Sequence, residues 1–210
     1  MVRIDDSGSA VKWERLASRT EEDVCRSSGA AWDESRRVYV VGYLTDTLEL
    51  DVVGRTVGWS AESARRRAKD PKRDLALLVL DYLASVRDVK PSGRWVSGKE
   101  LPSGAFFFRG PHEVPNELIA ARFGNSPQEF VEKATLLGGV AVPTSREVPG
   151  DAAVRFRVLP RIDVLIVLWA VDDEFPARAT ILFDSTIAEH LALDAVFLVA
   201  MTLVLELIRR

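Results

Sequence analysis

The run Val164-Leu-Ile-Val-Leu-Trp-Ala-Val171 is apolar at every position. A strand with one wet face alternates apolar and polar residues, whereas a strand that stays apolar on both parities must be covered on both faces. This segment therefore demands a layered structure with a strand at its centre. Its neighbours supply the partners. Ala152 to Leu159 alternates, with Val154, Phe156 and Val158 set against Arg155 and Arg157, and Ala179 to Phe183 forms another strand. Pro160-Arg161 turns the chain before the central run, and Asp172-Asp-Glu-Phe-Pro176 interrupts it afterwards. If the two later strands pair as a hairpin, Asp184 returns to the end of it remote from Asp172.

The rest of the chain follows from the same patterns. Ser9 to Ser28 reads as helical, with Thr20-Glu-Glu-Asp23 capping a second, shorter helix and Gly29 ending it. Arg37 to Leu44 and Leu48 to Val53 form a half-exposed β-hairpin with Thr45-Asp-Thr47 as its turn, and Arg55 to Ser60 adds a short strand. Asp74 to Val89 carries leucines at amphipathic helical spacing. A glycine-punctuated loop, Gly93 to Gly104, holds Trp95, and Phe106-Phe-Phe108 reads as a short strand. Two short helices follow, Asn116 to Phe123 and Gln128 to Leu137, the second opened by Ser126-Pro127. Asp184 or Ser185 caps a helix carrying Glu189 and His190, and Asp194 caps a closing helix to about Ile208. Strands and helices come in blocks, so the expected fold class is α+β: a largely antiparallel sheet with helices packed on it and a buried C-terminal helix. No linker is evident. The expectation is one domain over residues 1–210, with 1–9 flexible.

Composition narrows the function classes. The 210 residues are 47% hydrophobic and 28% charged, with 28 Lys and Arg against 31 Asp and Glu, a net charge of −3. Such a chain folds, and it lacks the basic field that nucleic acid or anionic membrane selects. The basic run Arg65 to Arg73 reads as a solvated loop and helix start. One cysteine, Cys25, excludes an intramolecular disulfide, a four-cysteine zinc site and a cluster held by this chain's cysteines alone. Its acidic neighbours Glu21 and Glu22 argue against a nucleophilic thiol. The charge-free stretch Ala195 to Leu205 is too short to span a bilayer. With no apolar signal core at the N-terminus, the expected location is the cytoplasm.

The residues with chemical potential are few. Asp172, Asp173 and Glu174 leave an apolar strand together, beside Trp169 and Phe175, and Asp184 ends the next strand. Such acids can hold a hard cation or divide acid and base roles; equally, they can form a solvated turn and a helix cap. His190 can ligate a metal, ligate a tetrapyrrole axially or act as a base, or lie at a helix end. His112 sits in a loop, and no metal-ligand spacing joins the two histidines, so no metal site is assigned. Trp95 and Trp169 can stack on a flat ligand or serve as core lids. The candidate ligand-binding set is therefore Trp95, Trp169, Asp173, Glu174, Phe175, Asp184 and His190, with no catalytic residue assigned. No dinucleotide, Walker, serine-hydrolase or kinase signature is present.

The order Ser28-Gly-Ala-Ala-Trp32, Pro91-Ser-Gly-Arg-Trp-Val-Ser97, Leu137-Gly-Gly139, Leu159-Pro-Arg-Ile162, Trp169-Ala-Val-Asp-Asp-Glu-Phe-Pro-Ala177, Ile181-Leu-Phe-Asp184, His190-Leu191 and Asp194 resembles a prokaryotic domain family of unknown function, common in anaerobes. The likeness runs from about Trp13 onward, and its Asp-Glu-Phe-Pro-Ala box followed by Leu-Phe-Asp is the most specific part. Some members of that family are joined to an iron–sulfur module similar to that of corrinoid iron–sulfur proteins. The resemblance implies work near corrinoid or anaerobic one-carbon metabolism, with a corrinoid or haem as ligand or a corrinoid or iron–sulfur protein as partner. This chain lacks the cysteine motif of the fused form, so any cluster would come from that partner. The leading expectation is an accessory ligand-binding protein. One rival is a metal-assisted enzyme using the Asp172–Glu174 turn. The other is an assembly module that forms a homodimer through the Ala195–Leu205 helix face.

Overall fold

A computed structural model describes residues 1–67, 69–146 and 148–209. The fold is α+β, and the expected sheet is two antiparallel sheets of five strands each. The first sheet contains β1 (Val2–Arg3), β2 (Ala31–Asp33), β3 (Val38–Tyr43), β4 (Asp46–Asp51) and β5 (Thr56–Trp59), in the order β1-β5-β4-β3-β2. The second contains β6 (Trp95–Ser97), β7 (Val140–Ala141), β8 (Ala152–Leu159), β9 (Ile162–Trp169) and β10 (Arg178–Asp184), in the order β6-β10-β9-β8-β7. The Leu44 amide donates to the Val158 carbonyl at 3.1 Å where the sheets meet.

β9 is the covered strand that its sequence demands. Ile162, Val164, Ile166 and Leu168 enter the main core. On the opposite face Leu165 and Val167 pack with Ala153 in a smaller cluster roofed by Trp95, Trp169, Leu182, Val142 and Val148. Two loop valines, Val142 and Val148, and three large side chains, Trp95, Trp169 and Leu182, are enough to cover that face.

The N-terminal helices are α1 (Ser7–Ala17), capped by Asp6, and α2 (Glu21–Ser28), capped by Thr20 and ended by Gly29 at φ 71°. At the N-terminus β1 pairs with Val57 and Thr56, Ile4 is fully buried, and the Trp13 indole donates to the Ile4 carbonyl at 2.6 Å. After α3 (Ala61–Ala64) comes α4 (Arg73–Ser85), whose residues from Leu75 to Ala84 are buried apart from Leu77. It is a central helix packed against α1, α2, α9 and β5, and its buried acid, Asp81, is paired with Lys12 at 2.8 Å.

The Phe106–Phe108 segment, expected to be a strand, begins in the short helix α5 (Gly104–Phe107). The chain doubles back so tightly that a Cβ on Gly104 would lie 2.0 Å from the Gly98 carbonyl oxygen. α6 (Asn116–Phe123) and α7 (Pro127–Leu136) follow, the second capped by Ser126 with Pro127 at its first position. α8 (Ile187–His190) is one turn, with Thr186 at its N-cap position. α9 (Leu193–Arg209) closes the chain. Asp194, expected to cap α9, sits inside its first turn, where its charge still complements the helix dipole. The apolar face of α9 is buried inside the chain against α4 and α6. Among the described residues, no helix is long and apolar enough to cross a membrane.

Candidate functional site

β9 and β10 pair with Trp169 opposite Arg178, and β10 pairs with β6 with Asp184 opposite Trp95. From Arg178 to Asp184 the chain rises roughly 20 Å, at about 3.3 Å per residue. The seven sequence-predicted residues therefore fall into two groups at opposite ends of one sheet. Trp169, Asp173, Glu174 and Phe175 lie at one end; Trp95, Asp184 and His190 lie at the other.

At the first end an open recess of about 480 Å³ is lined by Asp151, Trp169, Asp172, Phe175, Pro176 and Arg178 among others. The Arg178 guanidinium lies over the Trp169 ring, 4.3 Å from its centroid, and has no ion-pair partner among the described residues. Phe175 is 65% exposed on the rim. Asp172 shapes the turn: its Oδ1 accepts from the Glu174 amide at 2.8 Å and the Phe175 amide at 2.7 Å, and these bonds hold its carboxyl below the usual range. Asp151 fixes the strand exit by accepting from the Ala170 amide at 2.7 Å. Asp173 and Glu174 are solvated. The turn also rests on α6, since the Val171 amide donates to the Gly124 carbonyl, and a Cβ on Gly124 would lie 2.2 Å from Ala177. The recess thus has an aromatic floor, an exposed cation without an ion-pair partner among the described residues, and two carboxylates already engaged with amides.

At the second end Asp184 is 1% exposed and saturated. Its oxygens accept from the amides of Ser92, Gly93 and Thr186 and from the hydroxyls of Ser92 and Thr186, at 2.6–3.0 Å. Burial raises its pKa, and these donors together outweigh that and leave it low. Asp184 stands two residues before the N-cap of α8 and fastens the 92–93 loop to it. Trp95, expected in a loop, is on β6 and half-buried, roofing Leu165 and Val167. His190 is 2% exposed; its Nδ1 accepts from the Arg87 amide at 3.4 Å, and its Nε2 is buried with no partner. Burial pushes its pKa down. An imidazole sealed in this way does not reach the recess under Trp169.

The structure also shows a cluster that the sequence reading missed. Asp46 opens β4 with its side chain turned inward and 2% exposed. It accepts from Arg67 Nε at 2.9 Å and Nη2 at 2.6 Å, and from Arg66 Nη2 at 3.0 Å. Arg67 Nη1 donates to Glu206 of α9 at 2.5 Å. The same guanidinium lies 4.6 Å over the Trp59 ring. Burial opposes its charge, but Glu206 and Asp46 hold the pKa above the ordinary arginine value. Arg67 is thus a half-buried link between the first sheet and α9, in a run expected to be solvated. Alternation extended back from Leu50 and Leu48 puts Asp46 on the buried face of β4. That signal is present in the sequence but is masked by the turn-like composition of Thr45-Asp-Thr47. Beside the cluster a cleft of about 240 Å³ opens between Trp59, Arg67, α4 and α9. Tyr43, among the residues that line it, is fully buried, and its hydroxyl has no accessible surface. Burial raises its pKa, and the nearby Thr202 hydroxyl offsets only part of that.

Cys25 is a half-buried free thiol whose pKa is raised by burial first and by Glu21 second, which suits a packing residue. His112 is exposed and stacks between Phe107 and Phe197, far in sequence from His190 and not joined to it by any contact. Among the described residues, no group of three or more His, Cys, Asp or Glu side chains is placed to hold a metal ion.

A family model described as a domain of unknown function (DUF3786) matches residues 21–206. No curated protein and no solved structure matches the chain.

Proposed function

Starting from a chain that belongs to the DUF3786 family, we propose that it is an accessory binding protein that seats one edge of a corrinoid in the recess under Trp169. The observation that carries this is the Trp169–Arg178 stack on the rim of an open recess. Arg178 is exposed and unanchored, so a flat ligand can take its place on the indole face at little cost. Phe175 extends the apolar surface beyond the recess. Asp151 and Asp172 keep lone pairs free beside it, which suits the amide N–H groups of a corrinoid better than the carboxylates of haem. Neither histidine stands at this recess, so binding rests on stacking and peripheral hydrogen bonds, with no axial imidazole from this chain.

The same reading places the protein in the cytoplasm, in anaerobic one-carbon metabolism. Its partner is a separate corrinoid or iron–sulfur protein, because one cysteine cannot hold a cluster. The test is an anaerobic absorbance titration of the purified protein with cobalamin and, separately, with haem. The expected result is a saturable change with cobalamin near one equivalent and a weaker response to haem. A flat response to both contradicts the reading.

A further inference from the structure

We propose that the outer side of α9 is an interface for a second copy of this chain, formed by two α9 helices packed antiparallel about a two-fold axis near Met201. It uses no residue of the Trp169 recess, so this proposal and the corrinoid reading stand or fall separately.

The composition of α9 sets up the face. Among its 17 residues only Asp194, Glu206 and Arg209 are charged. Val196, Val199, Ala200, Leu203 and Leu207 are buried, and the helix packs on α4 and α6. A helix with one side covered ordinarily carries polar residues on the other. α9 instead presents Leu198, Met201, Leu205 and Ile208 there, all part-exposed. Their spacing of three, four and three residues is that of a coiled-coil seam, and one further step of four toward the N-terminus reaches Asp194. Ala195, expected in the contact face, is turned into the chain, so the apolar seam starts at Leu198.

Charge chooses the occupant. Glu206 is turned aside to Arg67 at 2.5 Å. The other two charges stand at opposite ends of the seam, Asp194 in the first turn and Arg209 in the last. Both are exposed, and neither has an ion-pair partner among the described residues. Each end is reinforced. Exposed Glu189 precedes Asp194, whereas Lys69 and Lys72 line the cleft beside Arg209, where Asp74 is the one lining acid without an ion pair among the described residues. A parallel pair of helices would set like charges together. The antiparallel pair sets Asp194 opposite Arg209 at both ends, Leu198 opposite Leu205, and Met201 at the axis, with the helix dipoles opposed. A face complementary to itself is what a two-fold contact requires. Another protein would have to reproduce this order of charge and apolar side chains; a second copy already carries it.

Size sets the strength. At about 1.5 Å per residue α9 is about 25 Å long. Its exposed strip is small beside the roughly 800 Å² per partner of a standard interface, so the dimer is reversible and micromolar.

Sedimentation equilibrium of the full chain, from low micromolar to sub-millimolar concentration, reads the association. The parent chain should move from the monomer mass toward twice that mass and no further. Met201→Lys, which sets two ammonium groups at the axis, should stay monomeric. Asp194→Arg and Arg209→Asp should each weaken association about tenfold, and the double variant should restore it. A parent chain that stays monomeric overturns the proposal and leaves the strip to a protein of another sequence. Growth beyond a dimer overturns it too, as does unchanged association in Met201→Lys. If Met201→Lys does not fold, the charge pair decides: a double variant no tighter than either single one contradicts the antiparallel contact.

Discussion

Arg178 lies 4.3 Å over Trp169 and Arg67 lies 4.6 Å over Trp59, yet the two contacts have opposite consequences. Arg67 is pinned from the other side by Asp46 and Glu206, both largely buried, and it ties the first sheet to α9. Arg178 has no such anchor among the described residues, and its ring partner borders an open recess. A cation over an indole contributes about 0.5–1 kcal/mol at an exposed site. What separates the two is therefore the carboxylates, not the stack. With carboxylates, the pair is architecture. Without them, the arginine can move and the indole face becomes available.

The largest effect should come from breaking the pinned pair. Asp46→Ala leaves the half-buried Arg67 with Glu206 as its remaining ion-pair partner, and loss of the charged hydrogen bonds to Asp46 should cost about 1.5–3 kcal/mol. Urea denaturation should show that loss; a change under about 1 kcal/mol would make the Arg67 network no more structural than Arg178. A middle-sized effect belongs to pH. His190 titrates below its ordinary value because it is buried. The unfolded chain therefore takes up the proton first, so this contribution is complete above about pH 6.5. It is lost as pH falls through the folded value. His190→Phe should flatten the stability profile between pH 7 and 5, and Arg178→Ala should not; an unchanged slope in His190→Phe would place the titration elsewhere. The smallest effects belong to the open end. Arg178→Ala, and Asp173→Asn with Glu174→Gln, should each leave stability within about 0.5 kcal/mol of the parent chain. A larger loss in Arg178→Ala would mean that an unseen anchor holds it.

The same contrast explains what could be read from the sequence. The covered strand β9, the caps at Thr20 and Ser126 and the stop at Gly29 are local events, decided by a few neighbouring residues, and they are legible. The separation of Trp169 from His190 follows from the antiparallel pairing that already put Asp184 remote from Asp172, once that register is carried on to α8. Arg67 was not legible as pinned, because its partners are 21 residues before it and 139 after it. Nothing local distinguishes it from Arg65 or Arg66. The acidic turn could be read either way from its sequence, as a site or as a solvated turn; in the structure Asp172 spends one oxygen on the turn and Asp173 and Glu174 face water. Charge density along a chain reports solvation more often than chemistry.

The central claim is that the unanchored stack marks the binding face. The most direct test is the anaerobic cobalamin titration repeated with Trp169→Ala, beside His190→Phe and the parent chain. The account predicts affinity at least about tenfold weaker in Trp169→Ala, in line with the 1–3 kcal/mol worth of an aromatic stacking platform, and parent-like affinity in His190→Phe. Parent-like affinity in Trp169→Ala, with loss in His190→Phe, would contradict it and move the site to the opposite end of the sheet.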